Sequence, residues 1–437
     1  MQVRSAMKRR LLALIACVMV CSALFALFYF FKPANTMSAQ DFSAKGQALA
    51  IQLNSIYIAG GTSLTPKTGY MVLADPSGNI RAFQSGKMDS AKPIWTQAGI
   101  FYGGSKHEFF TNEDGTKALS RDITPQIEYA RYPRNNGQGS ITFYGEGGTP
   151  EGYKQPVLLG DSEKTESIDV HGAYMSMGAC EDTLYAVTQT KYAPNLFDQA
   201  KDNYQSHAGV SDEELAKIEN FDVLVQVYPA NHPQNPQVLE SIPYRRGIVH
   251  AHTCYQRLHD SIYLLSFKLD YPEAEPGDGK DPRAGHAVLE EWNLKDHSYR
   301  IIDVVDKKGN FIDSNQGVCR GKGILHDTKC YYLLPGANVY SIDITTGVGE
   351  HLYTFADLPD GKEYIDFDIT PSAVYCLISG KDKNDPLDFS RYVFKTGTYE
   401  HLFNVSSLVE YRKHNVRISG IAVNPLWEES LNMQASF

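Results

Sequence analysis

Val339-Tyr340-Ser341-Ile342-Asp343, then Thr345-Thr346-Gly347, then His351-Leu352-Tyr353-Thr354-Phe355: two short apolar runs flank a turn that ends in glycine. Such runs are strand formers, and glycine supplies the positive φ that a tight hairpin demands. The figure returns as Arg391-Tyr392-Val393-Phe394, Lys395-Thr396-Gly397 and His401-Leu402-Phe403-Asn404. Earlier versions run from Tyr70 to Ala74 with Ser77-Gly78, and from Leu224 to Tyr228 with Val238 to Ile242. Val288 to Trp292 followed by Tyr299 to Asp303 is another.

A second pattern stands ahead of these hairpins: a turn residue, a small residue, an apolar residue, then tyrosine. It reads Asn54-Ser55-Ile56-Tyr57, Asp182-Thr183-Leu184-Tyr185, Asp260-Ser261-Ile262-Tyr263 and Ser372-Ala373-Val374-Tyr375. Leu325-His326-Asp327-Thr328-Lys329-Cys330-Tyr331 is a copy whose tyrosine comes one residue late, and His107-Glu108-Phe109-Phe110 is the weakest member. Each copy follows another short strand. Units of four antiparallel strands, repeating at about 45–80 residues, are the signature of a β-propeller. Counting the copies gives an all-β, six-bladed β-propeller, with seven blades or a pair of β-sandwiches as the alternatives. The last strand, Ile418 to Val423, lacks partners of its own, and the unit beginning at Asn54 lacks a first strand. Joining the two closes the ring and removes the open sheet edges.

Over residues 50–425 the chain resembles the broad class of extracytoplasmic β-propellers, with no narrower family indicated. Asp343-Ile344-Thr345-Thr346-Gly347 looks like the D-x-x-T-G turn of quinoprotein-type propellers. His351 stands where that pattern has its docking tryptophan, so no quinone cofactor is carried over.

The N-terminus sets the expected location. Leu11 to Phe31 are 21 consecutive apolar or small residues, led in by Arg4, Lys8, Arg9 and Arg10. At 1.5 Å per residue they reach about 30 Å, the thickness of a hydrocarbon core. Basic residues on the N-terminal side keep that end in the cytoplasm. The expected organisation is a cytoplasmic tail 1–10, a transmembrane signal anchor 11–31, a linker 32–49 and an extracytoplasmic propeller 50–437. The core is longer than a cleaved signal requires, and Met37-Ser38-Ala39 puts a large residue where a cleavage site needs a small one. Leu14-Ile15-Ala16-Cys17 resembles a lipobox, but Cys17 and Cys21 read more simply as small apolar residues of the membrane helix.

Segment 1–32 carries five of the 41 basic residues and none of the 51 acidic ones, so the exported part has a net charge of −15. With no basic run interleaved with aromatics, nucleic acid is excluded as a partner. Cys180, Cys254, Cys319, Cys330 and Cys376 contain no C-x-x-C and are odd in number, which speaks for free buried thiols rather than a disulfide framework.

Long connections between second and third strands are expected at about 111–139, 189–221, 267–285 and 379–389, all on one face of the ring. Within the second, Ser211-Asp212-Glu213-Glu214 is a capping box opening a short helix. The third carries Asp270, Glu273, Glu275, Asp278 and Asp281, oxygen donors of the kind calcium takes, although the spacing matches no EF-hand. Arg245-Arg246-Gly247-Ile248-Val249-His250-Ala251-His252-Thr253-Cys254 is the most pointed segment. As a strand it places His250, His252 and Cys254 on one face, a zinc-ligating spacing. Asp169 and His171 occupy a similar place one blade earlier. Together they could assemble a hydrolase or lyase acting on a glycan or small ester at the channel mouth. Arg245 and Arg246 could take a carboxylate or phosphate of a ligand. The main expectation is a membrane-anchored module that binds an extracytoplasmic protein or small ligand at its loop-rich face. Zinc and calcium are the metals these residues could hold.

Overall fold

The computed structural model describes residues 34–55, 68–229, 236–250, 255–273, 284–312, 323–355, 364–412 and 416–434, with Met19 and Ser22; positions 89, 91, 124, 126, 146, 150, 151, 171, 181, 335, 381 and 383 fall outside. The apolar segment 11–31 therefore lies outside the described residues, apart from Met19 and Ser22, which are helical. No helix among the described residues is long and apolar enough to cross a membrane. The chain divides into two units, Met1–Thr36 and Met37–Phe437.

From Met37 onward the structure is a seven-bladed β-propeller. Blade 1 combines Val416–Val423 with Leu49–Ser55, Gly69–Ala74 and Ile80–Gln84. Blade 2 is Ile94–Trp95, Ile100–Gly103, His107–Asn112 and Gly115–Ser120, and blade 3 is Ile127–Arg134, Gly139–Gly145, Val157–Asp161 and Thr165–Ile168. Blade 4 is Ser176–Cys180, Thr183–Gln189, Phe221–Tyr228 and Gln237–Pro243. In blade 5 two inner segments, Ile248–Val249 and Tyr255–Leu258, pair with Ser261–Leu269, followed by Gly285–Asn293 and Ser298–Asp303. Blade 6 is Ile324–His326, Lys329–Leu334, Asn338–Asp343 and Gly349–Thr354. Blade 7 is Tyr364–Ile369, Ala373–Ile378, Leu387–Val393 and Thr398–Val405.

The six-blade count is thus corrected to seven. The stretch 111–139, read as one long loop, contains the outer strand of blade 2 and the inner strand of blade 3. His107–Asn112 is a third strand and not a second one. The physical reason is the composition of Ile127–Arg134, IEYARYPR, where three charges and a proline disguise a strand. Its Glu128 and Arg131 are nevertheless buried, because they neutralise each other in the seam between blades.

The two ends of the repeat region meet in blade 1, where Leu49 pairs with Val423 and Ile51 with Ile421 in antiparallel register. The apolar core is distributed between adjacent blades. Neighbouring residues of one strand point to opposite faces of the sheet. Leu264 accordingly packs with Tyr185 and Val187 of blade 4, while Tyr263 and Leu265 pack with Cys330 and Tyr332 of blade 6. Tyr332 and Leu333 divide in the same way between blades 5 and 7. Tyr185, Tyr263 and Tyr375 fill these seams, and the last two anchor their hydroxyls on acids. Tyr263 donates to Glu291 at 2.9 Å and Tyr375 to Glu428 at 3.1 Å. Cys376 is a buried free thiol, Cys330 is buried and Cys180 is half-buried.

Among the described residues three α-helices accompany the blades: α1 (Phe197–Ala208), α2 (Asp212–Leu215) and α3 (Pro425–Gln434). α2 starts at the expected capping box, with Ser211 Oγ accepting from the Glu214 amide at 3.3 Å. α1 was not anticipated: Phe197, Ala200 and Tyr204 pack inward, but Asp, Asn, Gln and His residues between them are weak helix signals.

Candidate functional site

The connections between second and third strands leave the ring on the same face as the blade-to-blade connections. On that face the second-to-third connections of blades 4 and 5 start at Thr190 and Asp270. Here the chain turns at Arg245-Arg246-Gly247, Gly247 with φ +89, and a side chain at that glycine would meet Pro272. The connection into blade 5 is therefore packed against Pro272.

The two arginines part company. Arg246 directs Nη1 at both carboxylate oxygens of Glu273, at 2.7 and 2.8 Å, and both side chains are well exposed. Arg245 lays its guanidinium over the Tyr299 ring at 5.1 Å, and its backbone amide donates to Asp222 Oδ2 at 2.9 Å. In the acidic loop, Asp270 Oδ1 lies 3.3 Å from Nδ1 of His286, whose Nε2 lies 3.2 Å from Asp303. Asp270 and Glu273 thus engage separate basic side chains. Glu275, Asp278 and Asp281 lie outside the described residues.

His250 turns inward. Its side chain is 3% exposed, with Nε2 3.0 Å from Oε1 of Glu290 in the third strand of blade 5. Glu290 also accepts from Ser266 Oγ, and from Tyr299 Oη at 2.8 Å. Burial works to raise the Glu290 pKa, but the His250 cation and the hydroxyl donors outweigh it and hold the carboxyl below its usual value. Burial likewise works to lower the His250 pKa, and contact with Glu290 overrides it, so the ring is held protonated above its ordinary range. Asp222, at the start of the third strand of blade 4, completes the group. Burial pushes its carboxyl up to about 6 against the Arg245 amide, with the Glu290 charge adding to the rise. His252 and His171 lie outside the described residues, and Asp169 is half-buried on the connection into blade 4. His250 thus sits against Glu290 inside the seam between blades 4 and 5.

What the rim does present is aromatic surface. Tyr192 is 46% exposed, Tyr244 36%, Tyr271 43% and Phe311 56%, and Val249 in the first strand of blade 5 is 40% exposed. Lys191 bridges the first two, its Nζ 4.6 Å from the Tyr192 ring and 5.3 Å from the Tyr244 ring. Tyr271 follows Asp270, the partner of His286, and His286 stacks on Phe311 at 4.1 Å. The sequence offered no pattern for this strip, since its members come from four separate connections. Asp222 and Glu290 were equally hidden, each sitting inside a strand-like run.

No family model matches the chain. No curated protein matches it either. Among solved structures it is similar to the β-propeller domain of the Trilobed protease from Pyrococcus furiosus, at 11% identity and TM-score 0.43 over 81% of this chain and 98% of that one. It is also similar to an ACO/RPE65 chimera, at 11% identity and TM-score 0.47 over 90% and 94% of the two chains. For a Mycobacterium tuberculosis puromycin-hydrolyzing peptidase the values are 12% and 0.41 over 86% of this chain and 57% of that one. These likenesses concern the propeller fold alone.

Proposed function

We propose that the chain is a membrane-anchored, extracytoplasmic propeller that acts as a binding module, with an extracytoplasmic protein docking on the loop-bearing rim of blades 4 and 5. The observation that carries this reading is the set of exposed Tyr192, Tyr244, Tyr271 and Phe311 on four connections of blades 4 and 5, with Lys191 over the first two rings and His286 stacked on the last. Contiguous exposed apolar surface edged by polar groups marks interaction sites. Tyrosine and arginine are the residues that dominate interface energetics, because they combine large contact area with a polar tip. Lys191, Arg245 and Arg246 supply that polar edge. The anchor rests on the length and flanking charge of segment 11–31.

A photo-crosslinking amino acid placed in turn at Tyr244, Tyr271 and Phe311 of the full chain, expressed in its own cells, tests the docking. One adduct of the same mass at all three positions, absent at Tyr399 of blade 7 and lost from Y244A/F311A carrying the probe at Tyr271, is the expected result. No adduct, or equal adducts at Tyr399, overturns it. Because these side chains are exposed, the double variant should melt with wild type, which separates lost docking from lost folding.

A further inference from the structure

Away from the rim, at the outer edge between blades 4 and 5, three potential ligands converge. α1 runs along the outer strand of blade 4, tied by Asn203 Nδ2 to the Leu239 carbonyl at 3.1 Å and by Ser241 Oγ to the Ala200 carbonyl at 2.7 Å. Its last turn carries His207 against His297 of blade 5, with ring centroids 3.4 Å apart and planes 13° from parallel. His297 Nδ1 lies 2.5 Å from Oε1 of Glu240, which rises from the same outer strand of blade 4. One nitrogen or oxygen from each of the three falls within 4.8 Å of the other two.

Two further details fit a ligand set. His207 Nδ1 lies 2.8 Å from the Asn203 carbonyl oxygen, so Nδ1–H donates there and Nε2 keeps its lone pair. An imidazole fixed through its other nitrogen by a backbone carbonyl is the usual arrangement of a metal-bound histidine. His297, for its part, sits at φ +50 at the last position of its turn. The matching positions of blades 6 and 7 are Gly347 at φ +75 and Gly397 at φ +67. A bulky residue in the left-handed region is a local cost, and such positions concentrate where a side chain has a task.

We propose that His207, Glu240 and His297 bind a borderline divalent cation, Zn2+ foremost, leaving a fourth position open. Two imidazoles and a carboxylate are a zinc donor set, and three protein ligands are what zinc sites with an exchangeable position use. Binding replaces the direct His297–Glu240 contact by two metal bonds, which widens it to about 3.4 Å for a tetrahedral ion at about 2.1 Å, and it turns the stacked His207 and His297 rings out of parallel, because the ion lies in the plane of each imidazole. His297 and His207 are partly open to solvent, so the ion has an entry path.

The test uses the full chain, stripped with chelator and titrated with Zn2+ by calorimetry, with Co2+ as a spectroscopic substitute. One saturable site per chain is expected, weakened ten-fold or more in H207A and in E240Q. The visible absorption of four-coordinate Co2+ should disappear in H297G, a variant that restores the turn glycine and so retains the fold. Absence of a saturable site overturns the proposal. So does a zinc site that all three variants leave unchanged, since the metal would then sit elsewhere.

Discussion

Two seams between blades bury charge, and they are built in opposite ways. Between blades 2 and 3, Glu108 and Glu128 face Arg121 and Arg131, with every side chain 5% exposed or less. Arg131 Nη2 lies 2.8 Å from both carboxylates, and Arg121 reaches Glu108 at 2.8 Å and the Gly104 carbonyl at 2.6 Å. Tyr144 donates to Glu108 and accepts from Arg131 at 3.1 Å. Two cations balance two anions. Between blades 4 and 5, Asp222 and Glu290 share one histidine, and Asp222 is the member left short of positive charge. The first seam matches carboxylates with guanidiniums one for one, and burial pushes the Glu128 carboxyl up against the pull of Arg131. The second contains a carboxyl that changes charge near pH 6.

Arg131→Met should separate them most sharply. Removing one partner of a buried ion pair leaves uncompensated charge and costs about 3–5 kcal/mol. Here it strands Glu108 and Glu128 beside each other, so the urea midpoint should fall by the equivalent amount, or the chain should fail to fold. A loss below about 1 kcal/mol would mean that water reaches the seam and screens it.

Asp222→Asn should act the other way. A folded pKa of about 6 against an ordinary 3.8 means that the native state binds the extra proton. Its contribution to stability is therefore full below about pH 4 and is lost as pH rises through about 6, by up to about 3 kcal/mol at 1.36 kcal/mol per unit. Asparagine keeps an acceptor for the Arg245 amide without the buried charge. Thermal melts should show D222N more stable than wild type at pH 8, with the gap closing by pH 4. A variant less stable than wild type at pH 8 would show that Asp222 is held as a useful anion by His250.

These seams also mark how far the sequence could be read. The hairpins around Gly347 and Gly397, the recurring tyrosines and the capping box at Ser211 are local signals, and local chemistry decides them. The missing blade is a different matter. Ile127–Arg134 looks like loop because its Arg131 is neutralised in part by Glu108 of another strand, which Arg121 on the connection into blade 3 holds in turn. Periodicity cannot announce a partner that only the fold supplies. The same holds for Arg246, whose actual partner Glu273 is 27 residues away, and for His250, whose partner Glu290 sits two strands on. One clue did lie in the open. Lys295-Asp296-His297 occupies the place of Lys395-Thr396-Gly397, and a histidine where the parallel turn has glycine could have been flagged from the repeat alone.

The smallest effect belongs to an aspartate whose pH response runs opposite to that of Asp222. Asp343 closes the turn of blade 6, where Oδ1 accepts from the Thr345 amide at 3.0 Å, its hydroxyl at 2.7 Å and the Thr346 amide at 3.1 Å. Oδ2 accepts from Thr328 at 2.7 Å. Burial works to raise this carboxyl, yet the donors outweigh it and bring the pKa down to about 2. A depressed folded pKa contributes stability above the ordinary value of 3.8 that is lost as pH falls through about 2. Asp343→Ala should cost about 1 kcal/mol at pH 7, the scale of a lost cap, since the group is near the surface and water substitutes in part. That cost should shrink in melts between pH 4 and pH 2, while the D222N gap has already closed at the upper end of that range. If D343A instead loses the same amount at pH 2 as at pH 7, the threonines and not the carboxylate charge hold the turn. The contrast between a well-bonded and an underbonded aspartate would then have to rest on Asp222 alone.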